Sequence, residues 1–274
     1  MSKGTVLITG ASSGIGEELT RIFAKKHYDL IITARRQDRL NALAEELAAD
    51  TQVTSIVCDL GMNDGVDQLV KEVEGSDLQV DILVNNAGVS YPGPIQDLSV
   101  DEVDSMINLN VRALTRLTHL FLPTMIQRGS GKILNVGSVA SFQPVPSLSV
   151  YAASKAFVLS FTEALSEDLR GSGVSVTALC PGLTQTEMIN AVSSQENIPA
   201  FLIASAASVA REGYDALMSH EVIRIPGLAN QATVNWVKYT PRWLVRNWGG
   251  IFARTAVPGR RHPIPVTAAD GLRD

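Results

Sequence analysis

Seven short apolar runs recur along this chain, and between most of them lies a stretch with helical spacing. The runs are Thr5–Thr9, Leu30–Ala34, Val53–Cys58, Ile82–Asn85, Lys132–Val136, Ser175–Cys180 and Val222–Ile225. Several are almost continuously hydrophobic rather than alternating, as strands covered on both faces are. The helical patterns are Gly14–Lys26, Arg39–Ala49, Gly65–Glu74, Val100–Gln127, Tyr151–Arg170 and Ala200–Ser219. The fourth opens with Ser99-Val100-Asp101-Glu102, a capping box. Strand and helix in alternation predict right-handed βαβ crossovers, and so an α/β fold with a doubly wound parallel sheet and helices on both faces. No internal repeat is seen, and no linker precedes about residue 255, so 1–255 reads as one domain.

Composition narrows the function. Hydrophobic residues make up 45% of the 274 and charged residues 19%, enough for a sizeable core and against global disorder. A net charge of -5 gives no reason to expect a nucleic-acid partner. Cys58 and Cys180 each end an apolar run and read as buried free thiols, which suits a reducing, cytoplasmic setting. The four histidines are scattered without metal-ligand spacing. The first strand begins too early to leave room for a signal peptide, and no apolar run is long enough to span a bilayer.

The first strand runs directly into Thr9-Gly10-Ala11-Ser12-Ser13-Gly14-Ile15-Gly16, and a helix follows. Glycines permit a sharp turn and close approach of a pyrophosphate, while a helix N-terminus offers unpaired N–H groups. The alternative is a plain tight turn. Arg35 and Arg36 end the second strand, where an acidic residue would hold the ribose diol of NAD and arginines can clamp a 2′-phosphate. They favour NADP(H) over NAD(H); the bland reading is two solvated arginines. Asp59 ends the third strand, placed to accept from an adenine amino group or to cap the next turn.

Tyr151 and Lys155 stand one helical turn apart, which sets an ammonium beside a phenol. A nearby positive charge favours the phenolate, so the pair predicts a tyrosine able to exchange a proton at ordinary pH.

Taken in order, the glycine motif, Asn85-Asn86-Ala87-Gly88, Asn110, Ser138, Tyr151/Lys155 and Pro181-Gly182-Leu183-Thr184-Gln185-Thr186 resemble the short-chain dehydrogenase/reductase family over roughly residues 3 to 230. The resemblance implies a Rossmann-like, seven-stranded parallel sheet. It implies Tyr151 as the proton-transferring acid or base and Lys155 as its tuner and a ligand of the nicotinamide ribose. Ser138 would donate to the substrate oxygen, and Asn110 would anchor a water that relays protons. The glycine loop (Gly10, Ser12, Ser13, Gly14, Ile15, Gly16) would cradle the pyrophosphate, and Asn86, Ala87 and Gly88 would line the adenosine side. Pro181 and Gly182 would border the nicotinamide, with Thr186 near its carboxamide or the pyrophosphate. Asn85 is expected to tie strands together. A homo-oligomer, dimer or tetramer, is implied as well. The competing class is a catalytically idle, nucleotide-sensing protein on the same fold, but Ser138, Tyr151 and Lys155 are all present.

The substrate is expected to be a small carbonyl or alcohol, apolar and able to carry a long chain. The stretch from Leu183 to about Ser205 would close its cleft with Leu183, Met188, Ile189, Val192, Ile198, Phe201 and Leu202, opposite Phe142, Val145 and Tyr91. It contains no Lys or Arg to bind a substrate carboxylate or phosphate. Residues 236–254 carry Trp236, Trp243 and Trp248 with several arginines, and Thr240-Pro241 reads as the start of a basic amphipathic helix. Packing on the body or on a second subunit is favoured over peripheral contact with an anionic membrane. Residues 256–274 are expected to be mobile.

Overall fold

A computed structural model of the chain describes residues 2–76, 78–186, 203–241 and 243–245. β1 (Thr5–Thr9) leads into α1 (Gly14–Lys25), β2 (Asp29–Ala34) into α2 (Gln37–Leu47), and β3 (Val53–Val57) into α3 (Gly65–Glu74). β4 (Val80–Asn85) is followed by α4 (Val100–Ile107), a π-helical turn (Asn108–Ala113) and α5 (Leu114–Arg128). β5 (Gly131–Val136) is followed by a 3-10 turn (Val139–Phe142) and α6 (Ser149–Asp168). After β6 (Val174–Leu179) come two short paired strands, β7 (Thr184–Gln185) and β8 (Ala204–Ser205), then α7 (Ala206–Met218), β9 (Ile223–Arg224) and α8 (Leu228–Tyr239).

Seven strands form one parallel sheet in the order β3-β2-β1-β4-β5-β6-β9. Its two faces explain the continuous apolar runs. In β1, Val6 and Ile8 pack with Leu19 and Phe23 of α1 and Val209 and Leu217 of α7. Leu7, between them, points the other way, onto Val66 and Leu69 of α3, Leu117 and Phe121 of α5 and Leu165 of α6. With helices on both sides, most strand positions are apolar, and each buried Leu or Ile contributes roughly 1.5–3 kcal/mol. Asn85 ties strands as expected: its Nδ2 donates to Asn135 Oδ1 of β5 (2.9 Å) and to Thr118 Oγ1 of α5 (3.1 Å).

The structure departs from the sequence reading in three places. The predicted helix 100–127 is interrupted by the π turn, which periodicity over a long window passes through unseen. The helix expected from Ala200 begins at Ala206 within the described residues, because Ala204 and Ser205 pair with β7 and the Ser205 hydroxyl caps the helix by accepting the Ser208 N–H (3.1 Å). Helix α8 was not predicted at all. It starts beyond Gly227 (φ 82°) and buries only Val234 and Val237, too narrow a stripe to stand out. Thr240 closes α8 by donating its hydroxyl to the Trp236 carbonyl (2.7 Å), and a helical turn opens just after it as expected, with the Pro241 carbonyl accepting the Leu244 (2.9 Å) and Val245 (3.3 Å) N–H groups. The turn covers 243–245, with Val245 buried. Arg242 and everything from residue 246 onward lie outside the described residues, so the rest of the expected amphipathic segment does too. Among the described residues no helix is long and apolar enough to cross a membrane.

Candidate active site

The glycine loop lies where the strand order reverses, between β1 and β4, which is where open α/β sheets bind ligands. The chain leaves β1 through Gly10, whose φ of 68° is left-handed. Space demands glycine there as well: an added Cβ would lie 2.9 Å from Ala87 Cα. Thr9 Oγ1 accepts the N–H groups of Asn86 and Ala87 (3.0 Å each), and Asn86 Nδ2 donates to the carbonyls of Thr9 (2.9 Å) and Gly10 (3.2 Å). The loop and the Asn86-Ala87-Gly88 segment are thus one rigid unit. Ser13 is the extended N-cap residue of α1, and its side chain caps nothing, so no side chain occupies the first-turn amides at Gly14, Ile15 and Gly16. The Thr186 methyl lies over Gly14, where an added Cβ would sit 2.9 Å from it.

At the end of β2 the two arginines part. Arg36 turns to the loop and its Nη2 donates to the carbonyl and hydroxyl oxygens of Ser12, both at 3.2 Å. Arg35 is exposed, with its Nη1 4.0 Å from Asp59 Oδ2, a contact open to water and worth little. Asp59 Oδ1 accepts the Gly61 N–H (2.9 Å), so this carboxylate does cap a turn.

Ser138, Tyr151, Lys155 and Asn110 come together from three separate elements: the 3-10 turn, α6 and the π turn. Ser138 starts the 3-10 turn after β5, and its Oγ accepts the Ala140 N–H (3.1 Å). The Tyr151 phenol faces the same side chain, which favours its ionised form. Lys155 is buried, donates to the Val136 carbonyl (2.8 Å) and lies 5.8 Å from the centre of the Tyr151 ring. Gly88 approaches between the two polar groups: a Cβ there would lie 3.2 Å from Asn110 Oδ1 and 3.3 Å from Lys155 Nζ. Asn110 belongs to the π turn, whose extra residue per turn re-aims a side chain. Its carboxamide accepts the Val89 N–H and donates to the Val89 carbonyl (2.9 Å each), and also donates to Ser154 Oγ (3.1 Å).

Electrostatics at this cluster reverse one expectation. Burial is the main influence on the Tyr151 phenol and pushes it above its ordinary value; the Ser138 side chain pulls it partly back. Burial likewise pushes Lys155 down to about 8. The sequence reading predicted that the ammonium would lower the phenol. In this structure desolvation is the larger influence on both groups: Lys155 is buried and Tyr151 half-buried.

Two further residues support this cluster: Ser141, which the sequence did not mark, and Cys180, expected as a buried free thiol but not as a neighbour of Ser138. Ser141 Oγ accepts the Ser138 N–H (3.3 Å) and donates to the Lys155 carbonyl (2.8 Å), linking the 3-10 turn to α6. Cys180, buried and free, is pushed up to about 12 by burial, against hydrogen bonds from the Ser138 backbone and the Ser141 side chain. Serine and cysteine at these spacings carry no motif that marks them.

Pro181 and Gly182 follow β6, and the Pro181 carbonyl accepts the Val139 N–H (2.9 Å). Of the expected substrate-cleft residues, Leu183 is exposed, while Tyr91, Phe142 and Val145 are half-buried. Met188, Ile189, Val192, Ile198, Phe201 and Leu202 lie outside the described residues.

A parallel sheet with its glycine loop at the strand-order reversal, and a Ser–Tyr–Lys cluster beside it, is the architecture of an α/β oxidoreductase. The chain belongs to the short chain dehydrogenase family, whose profile matches residues 4–197. It is similar to sulfoacetaldehyde reductase 2 of Chromohalobacter salexigens, 45% identical over 184 residues that cover 66% of this chain and 73% of that one. Among solved structures it is similar to a short-chain dehydrogenase from Sphingobium yanoikuyae in complex with NADPH, with a TM-score of 0.78 and 32% identity over 98% of this chain and 100% of that one. It is also similar to a short chain dehydrogenase/reductase from Burkholderia phymatum in complex with NAD, with a TM-score of 0.76 and 26% identity over 85% and 92%.

Proposed function

We propose that this chain reduces a carbonyl to an alcohol with NADPH, and that NADH serves it less well. The observation that carries the proposal is the meeting of the Tyr151 phenol, the Ser138 hydroxyl and the buried Lys155 amine beside Gly88, one strand away from the glycine loop. A bound nicotinamide dinucleotide supplies the hydride. The residues suit such a ligand: the loop is closed on Ala87, and no side chain caps the first turn of α1.

Hydride arrival at a carbonyl carbon places negative charge on its oxygen. Tyr151 donates a proton to that oxygen and Ser138 a hydrogen bond, so both act mainly in the transition state. A phenol held protonated by burial is the right form for an acid in the reductive direction. Lys155 holds the ribose next to the nicotinamide. Asn110 fixes the Val89 backbone and leads the proton route toward Lys155. Gly10, Ser12, Ser13, Gly14, Ile15 and Gly16 take the pyrophosphate, Asn86, Ala87 and Gly88 the adenosine side, and Pro181, Gly182 and Thr186 the nicotinamide. Asp59 faces the adenine. Arg35 is the better clamp for a 2′-phosphate, since Arg36 is engaged with Ser12.

The absence of Lys and Arg between Gly171 and Ala210 supports an apolar ketone or aldehyde. A second reading, a short sulfonated aldehyde, is favoured by the 45%-identical relative named for that substrate. A panel of apolar and sulfonated carbonyls assayed with NADPH and NADH tests all of this. Turnover of neither class with either nucleotide would overturn the proposal. Self-association is part of the same reading, supported by the exposed Ile107, Leu120, Ile126 and Phe157 on α4, α5 and α6; light scattering on the purified chain measures it.

A further inference from the structure

Gly182 poses a question that its backbone does not answer. Its φ is not in the left-handed range, so conformation does not demand a glycine there. Space does. The three atoms nearest to an added Cβ all belong to the Asn230 carboxamide, with its carbon at 2.6 Å, and real Cβ contacts are essentially never that short.

Asn230 sits in the first turn of α8 and is held firmly. Its Nδ2 donates to the Pro226 carbonyl (2.7 Å), and the neighbouring Gln231 Nε2 donates to the Ile225 carbonyl (2.9 Å). Both bonds pin the start of α8 to the exit of β9. β9 in turn pairs with β6, and the Cys180 N–H extends that ladder to the Arg224 carbonyl (2.7 Å). On its other flank the Pro181–Gly182 segment is tied to the 3-10 turn that Ser138 opens, and α8 packs against the same turn.

We infer that Asn230 is a positioning residue: its carboxamide, anchored on Pro226, sets where the Gly182 backbone lies and so sets the nicotinamide end of the cleft relative to Ser138 and Tyr151. The inference rests on the functional reading above, in which Gly182 borders the nicotinamide. It adds a residue on a helix beyond the family's matched region, residues 4–197. It also gives Gly182 a specific reason to lack a side chain.

The consequence is geometric. Hydride transfer is sensitive to displacements on the order of 1 Å, which can cost ~100-fold in rate. The adenosine and pyrophosphate contacts lie on β1, β2 and β4, away from α8, so nucleotide affinity and turnover should separate.

The test is a double-mutant cycle on the full chain with Gly182→Ala, Asn230→Ala and both together. NADPH binding is read by its fluorescence, and turnover is read with the best carbonyl of the panel. Asn230→Ala is expected to lower kcat about fivefold while leaving the NADPH dissociation constant within about twofold. Gly182→Ala is expected to lose about tenfold or more in kcat/KM, because its methyl meets an anchored carboxamide. In the double variant the carboxamide is gone, so most of the Gly182→Ala loss should disappear, to within about threefold of Asn230→Ala alone. Additive losses would overturn the inference, as would a parallel fall in Tm and NADPH affinity with kcat per bound nucleotide unchanged. Those results leave the functional reading intact. A wild-type chain that binds neither NADPH nor NADH would overturn both.

Discussion

The two ends of the candidate cleft are built in opposite ways. At the proposed catalytic end, Asn110, Lys155 and Ser138 are buried. Each is held by hydrogen bonds to backbone from another element: Asn110 to Val89, Lys155 to Val136, and Ser138 through Ser141. At the far end, Arg35 is exposed and Asp59 half-buried; they approach each other only to 4.0 Å and answer to water as much as to the protein. Chemistry needs atoms placed to fractions of an ångström in a site that excludes water, and burial supplies both. Discrimination between two nucleotides needs only one charge in reach of a phosphate, and a surface arginine suffices. The difference predicts where substitutions act on turnover and where they act only on preference.

The hardest test of that contrast is Tyr151→Phe. Removing the acid should lower kcat by at least ~10²–10⁴-fold, with NADPH affinity nearly unchanged in a fluorescence titration. Ordinary activity in this variant would end the mechanism. Ser138→Ala comes next, with an expected loss of ~10²–10³-fold in kcat from one missing donor at the oxygen. Measured against pH, the reductive rate should fall as the medium becomes alkaline enough to ionise Tyr151. Burial pushes that point above the phenol's ordinary value.

Lys155 separates the two ends by stability instead. Its folded value of about 8 lies below the unfolded value of 10.5, so between these the folded chain holds fewer protons than the unfolded one. Stability from this residue therefore rises with pH through that window and is lowest below it. Compared with Lys155→Met, the wild-type chain should gain on the order of 3 kcal/mol between pH 7 and pH 11 in urea unfolding. No change in the difference would mean that Lys155 is solvated after all. The smallest effect belongs to the exposed end. Arg35→Asp should shift the ratio of kcat/KM for NADPH over NADH about tenfold toward NADH, and leave kcat with saturating nucleotide alone. An unchanged ratio would remove Arg35 as the phosphate clamp.

Much of the active end could be read from the chain because its residues announce themselves locally. Glycines after a strand, a Tyr and a Lys four positions apart, and a serine at a strand end each occupy a short window. What hid was whatever depends on partners far along the chain. Asn110 was marked by the family resemblance, but its place in a π turn and its bonds to Val89 and to Ser154, the latter 44 positions away, were not legible. Arg35 and Arg36 looked alike, and only the packed loop gives Arg36 its partner in Ser12. Helix α8 was missed because two buried valines make too faint a stripe.

By itself, then, the sequence determined the alternation of elements, the burial of the sheet on both faces, the place of the glycine loop and the family to which the chain belongs. The first three follow from periodicity and local chemistry, which act within a few residues; the family follows from the resemblance its ordered motifs carry. The tertiary structure alone decided the protonation of Tyr151 and Lys155, the division of labour between the two arginines, and the closure of Gly182 by Asn230. Each depends on what is excluded from, or pressed against, a group by elements distant in the chain, and desolvation and packing do not exist until the chain has folded.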